Sequence, residues 1–434
     1  MATFWYHRSN SALLLGLFFA LPLQAETPVP DTPVAGLGTH VEALLDWAEQ
    51  HNPELAAMRF EAEAASERVA PAGALPDPML RMELQDVTNK GLDASPNLLP
   101  GRIGGAKYTL SQSLPFWGKR DLQRDLAAAE ASGAQSQQRA THAELRDLIK
   151  TAYAQHYQAQ HEIRLTQEIL QLARQLEQVT QSRYANGLAP QQDLIKAQIE
   201  QTALRNELIA LQTEAHHAQI KLNAALARPA TAPLAMPRAL RPLSAAAAAK
   251  LDAAWLEERA REANPFLLAR ASQTTAASNA EALTHKNRYP DFTLGISPVQ
   301  QGNRVSEWEL MLELNIPLQQ GSRRAQERAA AHQTAAARSR LQAASNFVLA
   351  DLHESLSALQ AARAQARLIE QGLLPQTELN YHAALAGYQT GKVDFATLQD
   401  AGREIRKAKI NLLRTHVSAE IRRAQIERII GEEL

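Results

Sequence analysis

The sequence predicts an α+β membrane protein that is built twice over, each half carrying two membrane-type strands and a pair of very long helices. Three observations predict it. Four landmarks recur in the same order in both halves, several segments alternate apolar and polar residues with a period of two, and two long runs carry almost no helix breaker.

The chain begins with an export signal. His7 and Arg8 precede an apolar run, SALLLGLFFALPL, that is too short to span a bilayer and ends near the small residue Ala25. Residues 1–25 are therefore expected to be a signal peptide, with the mature chain starting near Glu26. No later segment is apolar enough for a transmembrane helix, so entry into a membrane would require a barrel. The 434 residues hold 45 Lys+Arg against 46 Asp+Glu, a balance that points to neither nucleic acid nor an acidic substrate. Aromatics make up only 5%, which suits helices packed closely through small side chains. There are no cysteines, which excludes disulfides, thiolate zinc sites, a cysteine nucleophile and acylation at cysteine.

The landmarks run in parallel. His51-Asn52-Pro53-Glu54-Leu55 is answered by Ala263-Asn264-Pro265-Phe266-Leu267, and in both Asn can cap a helix whose first residue is Pro. Leu75-Pro76-Asp77-Pro78 is answered by Tyr289-Pro290-Asp291-Phe292, and Pro115 by Pro317. Arg183-Tyr184-Ala185-Asn186-Gly187 is answered by Gly387-Tyr388-Gln389-Thr390-Gly391. The expected organisation is a first repeat over 26–227, a proline-rich linker over 228–243 and a second repeat over 244–434.

Each repeat carries two strands. Leu80, Met82 and Leu84 alternate with Arg81, Glu83 and Gln85. Tyr108, Leu110 and Leu114 alternate with Thr109, Ser111 and Ser113. In the second repeat Phe292, Leu294 and Ile296 alternate with Thr293, Gly295 and Ser297. Trp308, Leu310, Leu312, Leu314 and Ile316 alternate with Glu307, Glu309, Glu313 and Asn315. Alternation over about ten residues suits a membrane barrel, apolar toward lipid and polar toward the lumen, although a soluble sheet with one wet face alternates in the same way.

The helices discriminate better. Lys119 to Tyr184 is interrupted only by Gly133, and Ser322 to Tyr388 only by Gly372, Pro375 and Gly387. Each run would measure ~100 Å at 1.5 Å per residue. Each ends at a Gly-containing turn, after which a second helix returns. Four strands cannot close a barrel, so their edges must pair with another chain; three copies would supply twelve strands, with long helices beneath them.

This duplicated plan of strands and helical hairpins resembles the TolC-like outer membrane factor family over nearly the whole mature chain. The resemblance implies a homotrimer: a twelve-stranded β-barrel in outer-membrane lipid, four strands per chain, continued by a long α-helical barrel in the periplasm. It also implies docking to a periplasmic adaptor and an inner-membrane pump. Leu75-Pro76-Asp77-Pro78 and Pro115-x-x-Gly118-Lys119-Arg120 look most like the heavy-metal efflux branch, whose pumps are of the resistance-nodulation-division type. Alternatives are the same duct serving drug or protein export, or a non-enzymatic periplasmic coiled-coil scaffold.

The resemblance also places site residues. Arg183, Tyr184, Gly187 and Gly391 fall at the tips where the adaptor would dock. Tyr388 and Asp193 match the pair that holds the resting duct shut in family members. Asp400 matches the inner of two entrance carboxylates; the outer corresponds to Thr397, and Asp394 is a poor stand-in for it, lying six residues before Asp400. No enzymatic role, catalytic residue, cofactor or metal site is expected. His156 and His161 are five apart, a spacing that does not suit a helix-face metal site, and no phosphate-loop, nucleophile-elbow or dinucleotide fingerprint occurs.

Overall fold

The computed structural model describes residues 36–85, 105–242, 250–301 and 304–434. The expected signal peptide lies outside them, as do most of the first strand-connecting loop and the junction of linker and second repeat.

Each half opens with short helices: α1 (Val41–His51), α2 (Pro53–Glu67) and α3 (Val69–Ala72) in the first, α6 (Ala253–Ala263) and α7 (Pro265–Lys286) in the second. The Asn-Pro landmarks mark the breaks within these groups. Asn52 Oδ1 accepts the N–H groups of Glu54 and Leu55 at 2.9 and 3.3 Å, and Asn264 Oδ1 accepts that of Leu267 at 2.9 Å. The amide nitrogens of the same side chains reach the far end of each half. Asn52 donates to the Ala225 carbonyl at 3.1 Å and Asn264 to the Ile429 carbonyl at 2.7 Å. One buried residue type thus caps the start of each half and ties it to the end.

Next come the strands: β1 (Met79–Gln85), β2 (Gly105–Leu114), β3 (Phe292–Gln301) and β4 (Arg304–Leu314). They form one antiparallel sheet in the order β1-β2-β3-β4, so β1 and β4 are edges. Leu80 pairs with Leu110, Leu110 with Ile296, and Ile296 with Leu310, which puts the alternating leucine and isoleucine positions of all four strands on one face. That face is bare: Leu80, Leu310 and Leu312 are 73%, 87% and 62% exposed. On the other face Thr109 and Ser297 share a hydrogen bond of 2.8 Å, and Lys107 pairs with Glu309.

The sheet leads directly into the long helices. α4 (Lys119–Ala185) is continuous for 67 residues and returns as α5 (Gln191–Ala225). The second half differs. α8 (Gln320–Leu368) passes into a π-helical turn, Ile369–Leu373, before α9 (Leu374–Gln389), and α10 (Phe395–Ile430) returns. Pro375 has no N–H for the helical ladder, and the extra residue of the π turn accommodates the gap just before it. No described helix is long and apolar enough to cross a membrane.

Two apolar cores lie at the middle level. In one, Leu44 and Leu45 of α1 pack on Ile149, Tyr153, Leu222 and Leu226; in the other, Leu256 of α6 packs on Leu352, Leu359, Ile426 and Ile430. A buried charge network lies beside them. Lys150 of α4 meets Glu427 of α10 at 2.7 Å, and Arg241 from the inter-half connection meets Glu420 at 2.7 Å and Glu427 at 3.0 Å. Arg423 joins Glu420 at 2.8 Å. Burial alone would raise the Glu427 carboxyl, but the charges and hydrogen bonds of Arg241 and Lys150 outweigh it and hold the group below its usual range. For Glu420 burial wins over Arg241 and Arg423, and the like charge of Glu427 adds to it, so that carboxyl is raised.

Candidate functional site

The expected site residues gather at the far end of the long helices and on one flank of α10. Both hairpin turns use the same C-cap. Gly187 and Gly391 take φ of +72° and +77°, a left-handed conformation that costs glycine least. Leu188 N–H donates to the Arg183 carbonyl at 2.7 Å, and Lys392 N–H donates to the Gly387 carbonyl at 2.8 Å, so a six-residue closure recurs. An added Cβ at Gly187 would meet nothing within 4 Å; at Gly387 it would lie 2.6 Å from Val393 Cγ2, which makes that glycine a packing requirement.

Arg183 joins the two turns. Its Nη1 donates to the Gln389 carbonyl at 2.7 Å and its Nη2 to Leu188 of its own turn at 3.2 Å. The guanidinium lies 5.0 Å from the centroid of the Tyr388 ring, in cation–π range. A residue expected at a docking surface is thus also the bridge between hairpins. Tyr184, one residue on, is exposed.

Tyr388 points inward. It is only 2% exposed, packs edge-on against Phe395 at 5.7 Å, and its hydroxyl donates to Thr180 Oγ1 at 3.3 Å. Thr180, fully buried, passes the chain on to the Leu176 carbonyl at 2.9 Å. Among the described residues the Tyr388 hydroxyl therefore has Thr180 rather than Asp193 as its partner. The reason is packing: the ring completes a core with Ala197, Ala384, Leu398 and Ala401, which holds the hydroxyl between α4 and α10.

The three carboxylates differ. Asp394 caps α10, accepting the Thr397 N–H at 2.9 Å, and this bonding holds its carboxyl below the usual range. Its role in the fold is the cap, and Thr397 supplies the capped N–H. Asp193 is raised, by desolvation first and by the nearby charge of Asp394 second, against the opposing pull of Lys196 and Arg183. Asp400 is exposed on the flank of α10 opposite Leu398 and Ala401. Arg403 and Arg406, its nearest candidate partners in sequence, are committed to Glu200 at 2.9 Å and Glu207 at 2.6 Å on α5. Among the described residues Asp400 has no hydrogen-bond or ion-pair partner.

A sheet with one bare apolar face, leading into helical hairpins that end in paired glycine-capped turns, defines an outer-membrane efflux component rather than an enzyme. The chain belongs to the outer membrane efflux protein family, which matches it over residues 44–228 and 256–432. Among curated proteins it is 22% identical over 404 residues to the cobalt-zinc-cadmium resistance protein CzcC of Cupriavidus metallidurans, covering 90% of each. Solved structures of like fold include CusC (TM-score 0.76, 16% identity, 94% of this chain and 99% of that one). The outer membrane protein VceC of Vibrio cholerae is as similar (TM-score 0.76, 18% identity, 91% and 96%).

Proposed function

We propose that the chain is the exit duct of a tripartite resistance-nodulation-division efflux system and that its cargo is heavy-metal cations. Three copies close a twelve-stranded barrel in the outer membrane, the helices continue it through the periplasm, and the Arg183, Tyr184, Gly187 and Gly391 turns meet the adaptor. The observation that carries the duct is the four-stranded sheet with a bare apolar face and two unpaired edges, since neither feature is stable in water for one chain alone. The likeness to CzcC across nine-tenths of both chains supports the cargo.

Asp400 supplies the gate chemistry in this reading. Three-fold symmetry makes it a ring of three carboxylates without an ion-pair partner among the described residues, which is how cation-preferring constrictions are built. Single-channel conductance in planar bilayers tests the gate: a trivalent cation on the periplasmic side should block the native duct and leave Asp400→Ala open. Equal block of both would remove Asp400 from the constriction. Cargo is tested by deletion of the gene, which should lower tolerance to cobalt, zinc or cadmium salts while leaving tolerance to detergents and dyes unchanged.

A further inference from the structure

The junction between β2 and β3 is where a strand of the second half meets the elbow of the first. There the Asp291 carboxylate accepts the Phe116 N–H at 2.7 Å and the Lys119 ammonium at 2.8 Å. That ammonium also reaches the Tyr289 carbonyl at 3.1 Å, and the Tyr289 ring stacks on Phe116 at 4.5 Å.

The duplication supplies a second set of both surfaces. Two arginines fix the correspondence: Arg120 donates to the Gly73 carbonyl at 2.9 and 2.8 Å, and Arg323 donates to the Asn287 carbonyl. Gly73 and Asn287 each end the helix before a strand. Counted from these anchors, Leu75 and Asp77 stand where Tyr289 and Asp291 stand. The second elbow is one residue longer, so Leu318 follows Pro317 as Phe116 follows Pro115, and Ser322 precedes Arg323 as Lys119 precedes Arg120. Within one chain this second set is unmet. Leu75 is 44% exposed and Leu318 81% exposed, and among the described residues Asp77 has no hydrogen-bond or ion-pair partner.

We infer that the Leu75–Asp77 segment of each chain seats on the Leu318 elbow of a second copy, with β1 pairing to that copy's β4 in the register Leu80 opposite Leu314 and Arg81 opposite Glu313. The inference rests on the multi-chain barrel proposed above and adds its residue-level contacts. The register follows from β2 and β3, where Leu114 lies opposite Phe292. On the strand side of the elbow the prolines set the count: Ile316 precedes Pro317 as Leu114 precedes Pro115, and Pro78 stands where Phe292 stands, so Ile316 faces Pro78 and the remaining pairs follow. Side-chain chemistry that played no part in that counting agrees with it. Leu314, Leu312 and Leu310 meet Leu80, Met82 and Leu84 on the apolar face, and Glu313 meets Arg81 on the polar face.

The two kinds of junction are not equal in strength. Ser322 offers no cation to Asp77, so the seam between chains lacks the ion pair that Lys119 supplies within a chain. A lysine there should restore it.

The full-length chain in detergent provides the test, and because it holds no cysteine, any introduced pair is unambiguous. Leu80→Cys combined with Leu314→Cys should give an intermolecular disulfide under mild oxidation, and Leu80→Cys with Leu312→Cys, slipped by two residues, should not. Independently, Ser322→Lys should raise the temperature at which the assembly dissociates on a heated gel, and Asp77→Asn should abolish the gain. Light scattering on the same samples separates the two levels. An oligomer that cross-links at the slipped pair, or shows neither the cross-link nor the Ser322→Lys shift, overturns the register and the seat but leaves the duct standing. A monomer overturns both.

Discussion

Midway along α4 the chain encloses charges, and at its far end it encloses a tyrosine ring. In the middle, Lys150, Arg241, Glu420, Arg423 and Glu427 form a buried network. Arg241 comes from the connection between the halves, so the network pins that connection to both α4 and α10. At the tip, one hydrogen bond from Arg183, its contact with the Tyr388 ring and one hydroxyl bond join the hairpins. The middle resists separation because parting those groups would strand charges out of water, whereas the Arg183 contacts at the tip are few and border solvent, where water can replace them. In the duct proposed above, this division would let the middle hold while the tip parts.

The sharpest way to break the comparison is at Glu427. Removal of that carboxylate leaves Lys150 and Arg241 buried with one partner fewer, and Glu427→Ala should destabilise the chain by about 3–5 kcal/mol. Chemical denaturation followed by circular dichroism would measure it, and a loss below about 1 kcal/mol would mean that water reaches the site.

Arg183→Glu should cost less, about 1–2 kcal/mol at the tip from the lost hydrogen bonds and ring contact, with the yield of assembled protein unchanged. Cross-linking to the proposed adaptor should fall in the same variant; unchanged cross-linking would leave Arg183 as a bridge between hairpins and nothing more.

Tyr388→Phe is smaller still. It deletes one hydroxyl and leaves Thr180 Oγ1 bonded to Leu176, so about 1 kcal/mol is expected. Entry of vancomycin into cells carrying the variant should increase if that bond helps hold the tip shut. Native exclusion would assign closure to the core around Phe395 and Leu398.

The mildest effect is acid. Burial would raise Glu433, but hydrogen bonds from Arg146 and Lys150, with their charges, hold it at about 2. A depressed carboxyl stabilises the fold above its ordinary value of 4.5 and loses that contribution as pH falls toward about 2. Glu433 is more than half exposed, so the loss should be shallow. Glu433→Gln should flatten the stability profile between pH 5 and 2; an unchanged slope would place the titration on other carboxylates.

Much of the architecture was legible in the sequence because it rests on local chemistry. The Asn-Pro caps, the alternating strands and the glycines that end α4 and α9 each declare themselves within a few residues. What was not legible depends on distant partners. Lys150 is one more basic residue in a long helix until Glu427, 277 positions away, is brought beside it. The cluster of Tyr388 with Thr180 is long-range too, 208 positions apart, so the burial of this tyrosine in the tip core could not be read from its sequence neighbours. Gly372 and Pro375 signalled an interruption, but the π turn that resulted follows from how the ladder reroutes around a missing donor. The unclaimed state of Asp400 could be read only once Arg403 and Arg406 had been seen to face α5.

The π turn has a further consequence, for phase. The buried seam of α8 advances by sevens through Leu352, Leu359 and Ala366, and below the turn it resumes by seven at Thr377 and Ala384. Ala366 and Thr377 are eleven apart, so four residues are inserted into the heptad count. A sustained heptad drifts by about 20° against a straight helix and winds its pair left-handed, whereas an eleven-residue step drifts the opposite way. The buried seam of the second hairpin is thereby shifted in phase partway along its length. An eleven-residue step offsets the drift of about one heptad, so part of the twist gathered before Ile369 is taken back ahead of the tip, a correction that the unbroken α4 lacks.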